Sequence, residues 1–494
     1  MFGHYIIPDR SMRERKKQAR NRPKEFPFLH RIVNPVKIKY VVIFSADEQV
    51  RNIKKTLEEN MPWIITEVFT DPLSVLNYRP DYASVFIFDD TALNIIDTQK
   101  ICKNTKDASI VLLSSNEFIH CSPPAAALEK FPYTSKADLV FAYNNTDCAP
   151  GTIIASVVKV AEDLLNITRY SKARRYIFLI VDDEPRWFSQ FLPILYNIIG
   201  QRADVMLART FEESLKFIFG VERESEIDDN AFRFQGHGDD VACLITDIFF
   251  PKGNDFNSTA GKDLVRLTCK YYPRIPIIVA SKTKEADAFK DFAFVLPKGD
   301  PGSLDTLRTY IKDNTGIGDF IIRSKEGKEL FRINTIAELM HVLNQVEKGT
   351  KEAKELREIL ENYGDKDKFS TWLYMHSYRE LADELRPKHH HGHHLITVLK
   401  RYLKKEILRM DRTPLIIEGS KIFNLQELVN LLKSVDPAKI QKHADNDIFS
   451  SWFDRKGFTE LADELRPLHE SGTKMAKTLV DTVEKWMRKY RVIN

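Results

Sequence analysis

The sequence predicts an α/β chain: two tandem, doubly wound parallel-sheet domains followed by two mainly helical repeat modules. Three observations carry that prediction. Short β-branched or aromatic runs alternate with helical patterns through the first ~315 residues, as in buried parallel strands joined by crossover helices. The pattern then turns helical. Finally, Phe369–Pro387 (FSTWLYMHSYRELADELRP) and Phe449–Pro467 (FSSWFDRKGFTELADELRP) share 11 of 19 positions at an offset of 80 residues.

Segment 1–35 is a basic arm, with Arg13, Arg15, Lys16, Lys17, Arg20, Arg22 and Lys24 interrupted by Pro23 and Pro27. Such a run either touches phosphates, lipid headgroups or an acidic partner, or is a solvated tail. Strands are expected at Ile38–Ser45, Val85–Phe88, Ile110–Leu113 and Leu139–Ala142, with helical patterns such as Val50–Glu58 and Gly151–Leu165 between them. They define a first domain over 36–168. A second set covers Tyr176–Val181, Val205–Ala208, Ala242–Thr246, Ile275–Ala280 and Ala293–Leu296, giving a second domain over 172–315.

From about 319 the duplication sets the boundaries. Ile333–Leu343 matches Phe423–Leu432, each after an extended stretch (Phe320–Arg323 and Leu415–Glu418), and a helical segment follows each Arg-Pro. Modules over 319–410 and 412–494 are expected, each a strand or hairpin followed by helices. Phe449, Trp452, Phe453, Phe458, Leu461, Ala462 and Leu465 have the spacing of core positions, with Gly457 separating two helices. Packing does not require the shared polar residues Asp383/Asp463, Glu384/Glu464 and Arg386/Arg466, although an arginine in a last helical turn complements the helix dipole.

Composition excludes several classes. With 43% hydrophobic and 29% charged residues the chain is a globular protein and not a disordered one. No apolar run reaches membrane-spanning length, and the N-terminus has no signal-peptide pattern. Five scattered cysteines (Cys102, Cys121, Cys148, Cys243, Cys269) without a CxxC indicate a reducing, cytoplasmic compartment. A net charge of +4 gives no reason to expect nucleic acid as partner. The histidines of His389–His394 could hold a transition metal, but the second module has only His469 there, so a solvated loop is the expectation. The Gly-Lys at Gly261-Lys262 is followed by Asp263 where a phosphate-binding loop needs Ser or Thr.

The sharpest chemistry lies in the second domain. Asp182, Asp183 and Glu184 end its first strand, Asp247 ends the third, Ser281 the fourth, and Lys298 follows the fifth. A strand order 2-1-3-4-5 would gather these ends into one pocket. Clustered carboxylates suit a hard cation such as Mg²⁺, a lysine supplies a point charge for an anion, and a hydroxyl can hydrogen-bond a phosphoryl oxygen. Such a set transfers a phosphoryl group by positioning and electrostatics.

The series LIVDDEP, LITDIFFP, IIVAS and VLPKG over 172–315 resembles the receiver domain of two-component response regulators. The resemblance implies a flavodoxin-like fold and a phosphorelay role, with Asp247 as phosphoacceptor and Ser281 and Lys298 as its catalytic partners. It also implies a Mg²⁺ ion on Asp182, Asp183, Asp247 and the Phe249 carbonyl. The implied activity is limited to self-catalysed phosphoryl transfer from a histidine kinase or phosphotransfer protein and hydrolysis of the aspartyl phosphate. The chain departs from the pattern at Val295, where an aromatic is usual and Phe294 precedes it, and in the long loops Glu222–Asp240 and Pro251–Ala260.

The first domain resembles a degenerate receiver. Its alignment with the second puts Ala46 at the place of Asp182, retains Asp47, and offers Asp89 or Asp90 as acceptor and Ser114 as hydroxyl. Tyr143-Asn144 stands where the lysine belongs. The C-terminal modules are of uncharacterised type. They are expected to carry output by binding a protein partner or a second copy of the chain. A scaffold without phosphorylation and a phosphate sink are the rival readings.

Overall fold

The computed structural model describes residues 36, 38–45, 48, 53–61, 64–105, 107–116, 119, 132–143, 150–169, 176–200, 202–229, 234–255, 258–346, 350–386, 392–410, 413–465 and 472–489. The basic arm 1–35, Ala46, Asp47, Asn144, His389–His391, Arg466 and His469 lie outside them.

Two all-parallel, five-stranded sheets form the first two domains. The first contains β1 (Tyr40–Phe44), β2 (Ile65–Phe69), β3 (Ser84–Phe88), β4 (Ala108–Ser114) and β5 (Leu139–Ala142), in the order β2-β1-β3-β4-β5. The second contains β6 (Tyr176–Val181), β7 (Ala203–Ala208), β8 (Val241–Thr246), β9 (Ile277–Ser281) and β10 (Phe294–Pro297), in the order β7-β6-β8-β9-β10. Both orders are the expected 2-1-3-4-5. The sequence reading missed β2. It is an edge strand, ITEVF, only partly buried, so it lacks the continuous apolar run that marks its neighbours.

Strand β6 shows how one segment serves two layers. Tyr176, Phe178 and Ile180 enter one core, while Ile177, Leu179 and Val181 enter the other, the period-two alternation of a central strand. The first of these cores is continuous across the first domain, one face of the second and the first C-terminal module. Helix Pro150–Arg169 closes the first domain and also packs on helix Pro185–Ile199 of the second. Its buried Asp163 accepts hydrogen bonds from the Tyr196 hydroxyl (2.7 Å) and the Val205 amide (2.9 Å). The second bond covers an amide on edge strand β7 that would otherwise be open to another chain.

Each C-terminal module is a two-stranded hairpin followed by five helices. The hairpins are Phe320–Arg323 with Glu329–Ile333, and Leu415–Ile417 with Ser420–Ile422. Asp367 and Asp447, 80 residues apart, both adopt left-handed backbone before the third helix (φ 51° and 55°). Gly457, at φ 83°, separates helices Ile448–Arg455 and Thr459–Leu465 as expected. The repeat's apolar positions are core: Phe449, Trp452, Phe453, Leu461, Ala462 and Leu465 are buried, and Phe458, next to the Gly457 break, packs on them partly buried. Among the described residues, no helix is long and apolar enough to cross a membrane.

Polar groups add to the shared core in joining the modules to the rest. Buried Arg386 donates to the Tyr176 hydroxyl (2.6 Å) and to the Asp239 carbonyl, and its guanidinium lies 4.7 Å from the centre of the Tyr176 ring. It therefore clamps the first module to the base of the second sheet, a role that helix-dipole reasoning did not reveal. Arg202 gathers the Ile198 carbonyl (2.6 Å) and the Ile317 carbonyl (2.9 Å), and lies 3.5 Å from Asp463 of the second module. Arg455 also reaches the Ser377 carbonyl (3.1 Å) across the two modules.

Replacing Arg386 with alanine would leave a buried hydroxyl and a carbonyl without their donor. The expected loss is about 1–3 kcal/mol of stability, read as a lower urea midpoint of the full chain. Arg386→Lys should restore little, because an ammonium cannot reproduce the planar fork. An unchanged midpoint in Arg386→Ala would show that Arg386 does not clamp the module.

Candidate functional site

The strand order brings the predicted residues to one edge of the second sheet. Asp182 follows β6, Asp247 follows β8, Ser281 ends β9 and Lys298 follows β10. The β9–β10 register sets the last of these, since Ser281 pairs with Pro297 and the Ser281 carbonyl accepts the Lys298 amide at 2.9 Å. The lysine ammonium is thereby delivered between two carboxylates, 2.6 Å from Asp182 Oδ2 and 2.6 Å from Asp247 Oδ2. The side chains of Lys298 and Asp182 are 1% and 2% exposed, that of Asp247 15%.

The other two oxygens are also used. Asp182 Oδ1 accepts the Glu184 amide (2.9 Å) and Asp247 Oδ1 the Ile248 amide (2.6 Å). Asp247 is positioned from both sides of the chain: its amide donates to the Val181 carbonyl (2.9 Å), and its own carbonyl accepts the Thr246 hydroxyl (2.8 Å). Helix Ala260–Tyr271 starts so close to that carbonyl that a Cβ on Gly261 would stand 2.1 Å from it. Only glycine lets the helix seat there.

Asp183 is buried directly after Asp182. The Phe249 ring packs on the core of its sheet face. The Ser281 hydroxyl accepts the Thr283 amide at 3.3 Å, turned into its own loop. Val295 faces the same core as Phe249, and Phe294 stacks on Tyr310 with ring centroids 4.2 Å apart.

A basic and aromatic rim, not expected from the sequence, borders the pocket. Glu184 accepts from Arg186 (2.8 Å) and from the Trp187 indole (2.6 Å). Burial raises the Glu184 carboxyl, but the hydrogen bond and charge of Arg186, the Trp187 indole and the Lys298 charge together outweigh it and hold the carboxyl below its ordinary value. Lys282 lies 4.2 Å over the Trp187 ring and Lys298 5.6 Å from it. Burial and the nearby Arg186 lower the Lys282 ammonium. Lys282 adjoins Ser281 and could have been noticed, whereas the Glu184–Arg186–Trp187 contacts depend on the first helical turn and left no motif.

Electrostatically the pocket is short of positive charge. Burial raises the Asp182 carboxyl from 3.8 to about 7; Lys298 opposes this and Asp247 adds to it. One ammonium shared between two carboxylates does not offset full desolvation of the inner one. Lys298 is raised: burial works against its charge, and the two carboxylates outweigh burial.

That excess negative charge is the electrostatics a cation would relieve, yet the donors are not arranged for one. Every oxygen of Asp182 and Asp247 already accepts a hydrogen bond, and Lys298 occupies the space between them. Among the described residues, no group of three or more Asp, Glu, His or Cys side chains could hold a metal ion. Asp182, Asp183 and Asp247 are not gathered into such a group here, and a Mg²⁺ ion on the set expected from sequence would have to displace Lys298 from between two of them.

The first domain repeats the frame with different chemistry. The Tyr143 amide donates to the Ser114 carbonyl (3.2 Å), as the Lys298 amide does to Ser281, so Tyr143 occupies the lysine's place. Register pairs Phe44 with Phe88 and Val181 with Thr246. This sets Ser45, one residue before the Ala46 of the alignment, beside Asp89 as Asp182 stands beside Asp247. The Ser45 hydroxyl donates to Asp89, whose other oxygen caps helix Asp90–Ile95 through the Ala92 amide (2.7 Å). Asp90 accepts from Ser114 (2.7 Å) and from the Tyr133 hydroxyl (2.9 Å). Both acidic groups are met by neutral donors.

No protein-family model matches the chain, and no curated protein does. Among solved structures, it is similar to a probable two-component system response regulator/GGDEF domain protein, with TM-score 0.24 and 12% identity over 55% of this chain and 96% of that one. It is also similar to the C-terminal domain of glucosamine-fructose-6-phosphate aminotransferase from Francisella tularensis, with TM-score 0.17 and 10% identity over 61% and 84%. Scores this low carry no argument about function, and the α/β assignment rests on the two sheets themselves.

The raised Asp182 carboxyl predicts a pH dependence in chelator-containing buffer. A carboxyl that binds its proton more tightly when folded stabilises the protein fully near pH 4, and that contribution is lost as pH rises to about 7. Urea midpoints of wild type should therefore fall across this window relative to those of Asp182→Asn, whose amide does not titrate. Parallel curves for the two proteins would contradict the assignment.

Proposed function

We propose that residues 172–315 form a phosphoacceptor domain of the receiver type, within a response-regulator-like signalling protein that acts through protein–protein interaction. The observation that best supports this reading is the Lys298 ammonium held against both Asp182 and Asp247 at the carboxyl edge of a 2-1-3-4-5 sheet. An Asp247 oxygen would attack the phosphorus of a donor, the donor's P–N or P–O bond would break, and the leaving group would take up a proton. Lys298 would move from carboxylate to phosphoryl oxygen, and Ser281 could turn its hydroxyl toward the same group. Water would later hydrolyse the acyl phosphate.

A phosphohistidine on a sensor kinase or phosphotransfer protein is the proposed donor. The first domain would be an unphosphorylated pseudo-receiver, since Tyr143 replaces the lysine and Asp89 and Asp90 are engaged by neutral donors. The modules would pass the signal to a protein partner or a second copy of the chain. A second reading, a scaffold, has its own support: with all four oxygens satisfied, Asp182–Lys298–Asp247 could serve as a purely structural bridge. A receiver that only drains phosphoryl groups is a variant of the first reading.

Labelling with acetyl phosphate, with and without added Mg²⁺, separates the two. Intact mass should show one phosphate on wild type and none on Asp247→Asn, and Lys298→Ala should label about a hundredfold more slowly. No label on folded wild type under either condition would favour the scaffold. Label retained by Asp247→Asn at Asp89 or Asp90 would overturn the pseudo-receiver assignment.

A further inference from the structure

A second charged cavity lies at the opposite end of the second sheet. It is lined by Val241, the first residue of β8, and Pro276 on one side, and by Tyr363, Lys366, Lys368 and Thr371 of the first module on the other. Asp247 lies six residue steps beyond Val241, roughly 20 Å along β8. The space is about 530 Å³, part of it open to solvent, which is ample for a small ion.

Most charges around it are accounted for. Asp313 lies 3.4 Å from Arg323 and 3.5 Å from Arg332, and Asp319 lies 3.2 Å from Arg332. Arg274 donates to the carbonyls of Gly238 (2.6 Å) and Val241 (3.2 Å) and stands 3.6 Å from Asp239. Lys368 differs. Its ammonium rests 4.1 Å over the Tyr363 ring, and it makes no ion pair with a carboxylate among the described residues. Burial lowers its pKa to about 8, and the charges of Lys366 and Arg323 push the same way. A desolvated ammonium beside like charges is costly unless something offsets it.

The duplication shows that the fold does not need this lysine. Lys368 corresponds, at the 80-residue offset, to Ile448, and Lys366 to Asn446. An apolar residue therefore suffices to start this helix, and the two lysines occur in the module that faces the cavity. We propose that the cavity binds a small oxyanion, of the kind a phosphate group presents, through Lys368, with Lys366 and the Thr371 hydroxyl beside it. The anion would sit between the second α/β domain and the first module and tighten their contact. This site is independent of whether Asp247 is phosphorylated.

The test uses the full chain, thermal unfolding and inorganic phosphate at millimolar concentration, against chloride at matched ionic strength. Wild type and Asp247→Asn should both gain in melting temperature with phosphate beyond chloride, as linkage requires. Lys368→Ile, which installs the second module's residue, should melt higher than wild type without phosphate and lose most of the phosphate response. Acetate at the same ionic strength separates a general carboxylate site from a phosphoryl-selective one; a weaker gain than with phosphate supports the proposal. Phosphate no better than chloride in wild type would overturn it, as would an equal phosphate response in Lys368→Ile. Loss of the response in Asp247→Asn would instead place the anion in the acidic pocket, and would also overturn it.

Discussion

A single ammonium shared by two carboxylates, Asp182 buried and Asp247 partly so, is the interaction on which the arrangement of the second domain's carboxyl edge depends. Lys298 can reach Asp182 and Asp247 only because β10 is registered on β9 and its amide is held by the Ser281 carbonyl. That register in turn requires β8 and β9 to run parallel in a sheet covered on both faces. Removing one partner from such a buried set costs about 3–5 kcal/mol, more than most single contacts contribute. The local backbone follows suit: Gly261 admits the helix start against the Asp247 carbonyl, and the Glu184 and Ile248 amides occupy the outer carboxylate oxygens.

The first domain is an internal control for this constraint. It has the same strand order and the same amide-to-carbonyl bond after its fifth strand, but Tyr143 stands at the lysine's place. There Asp89 and Asp90 accept from Ser45, Ser114, Tyr133 and a helix-cap amide among the described residues. The fold therefore does not depend on the charged bridge. The bridge is an addition to the fold, which is why it directs attention to chemistry.

Much of this was legible in the residues, and the omissions have physical causes. Nine of the ten parallel strands announce themselves as apolar runs; β2 does not, because Thr66 and Glu67 interrupt its apolar residues. The convergence of Asp182, Asp247 and Lys298 followed from strand order alone, since side chains at strand ends inherit their positions from topology. Side-chain partners chosen across long sequence distances were not readable. Arg386 finds Tyr176 210 residues away, and no local pattern encodes that pairing. Likewise the closure of both carboxylates by amides and lysine depends on backbone detail that a motif does not contain.

The two C-terminal modules differ in how they belong to the chain. The first shares its apolar core with both α/β domains, while the second has a core of its own around Leu428, Phe453 and Leu479. Polar groups mark the seam between the modules: Arg455 meets the Ser377 carbonyl, and His376 lies 3.5 Å from Asp454. Arg202 adds a further polar contact, from the second domain to Asp463. A gene duplication that appended such a unit would have left the ancestral core dry and intact, asking only for a few surface polar matches. At the 80-residue offset the second module carries Ile448 and Asn446 where the first, whose core is shared with the α/β domains, carries Lys368 and Lys366.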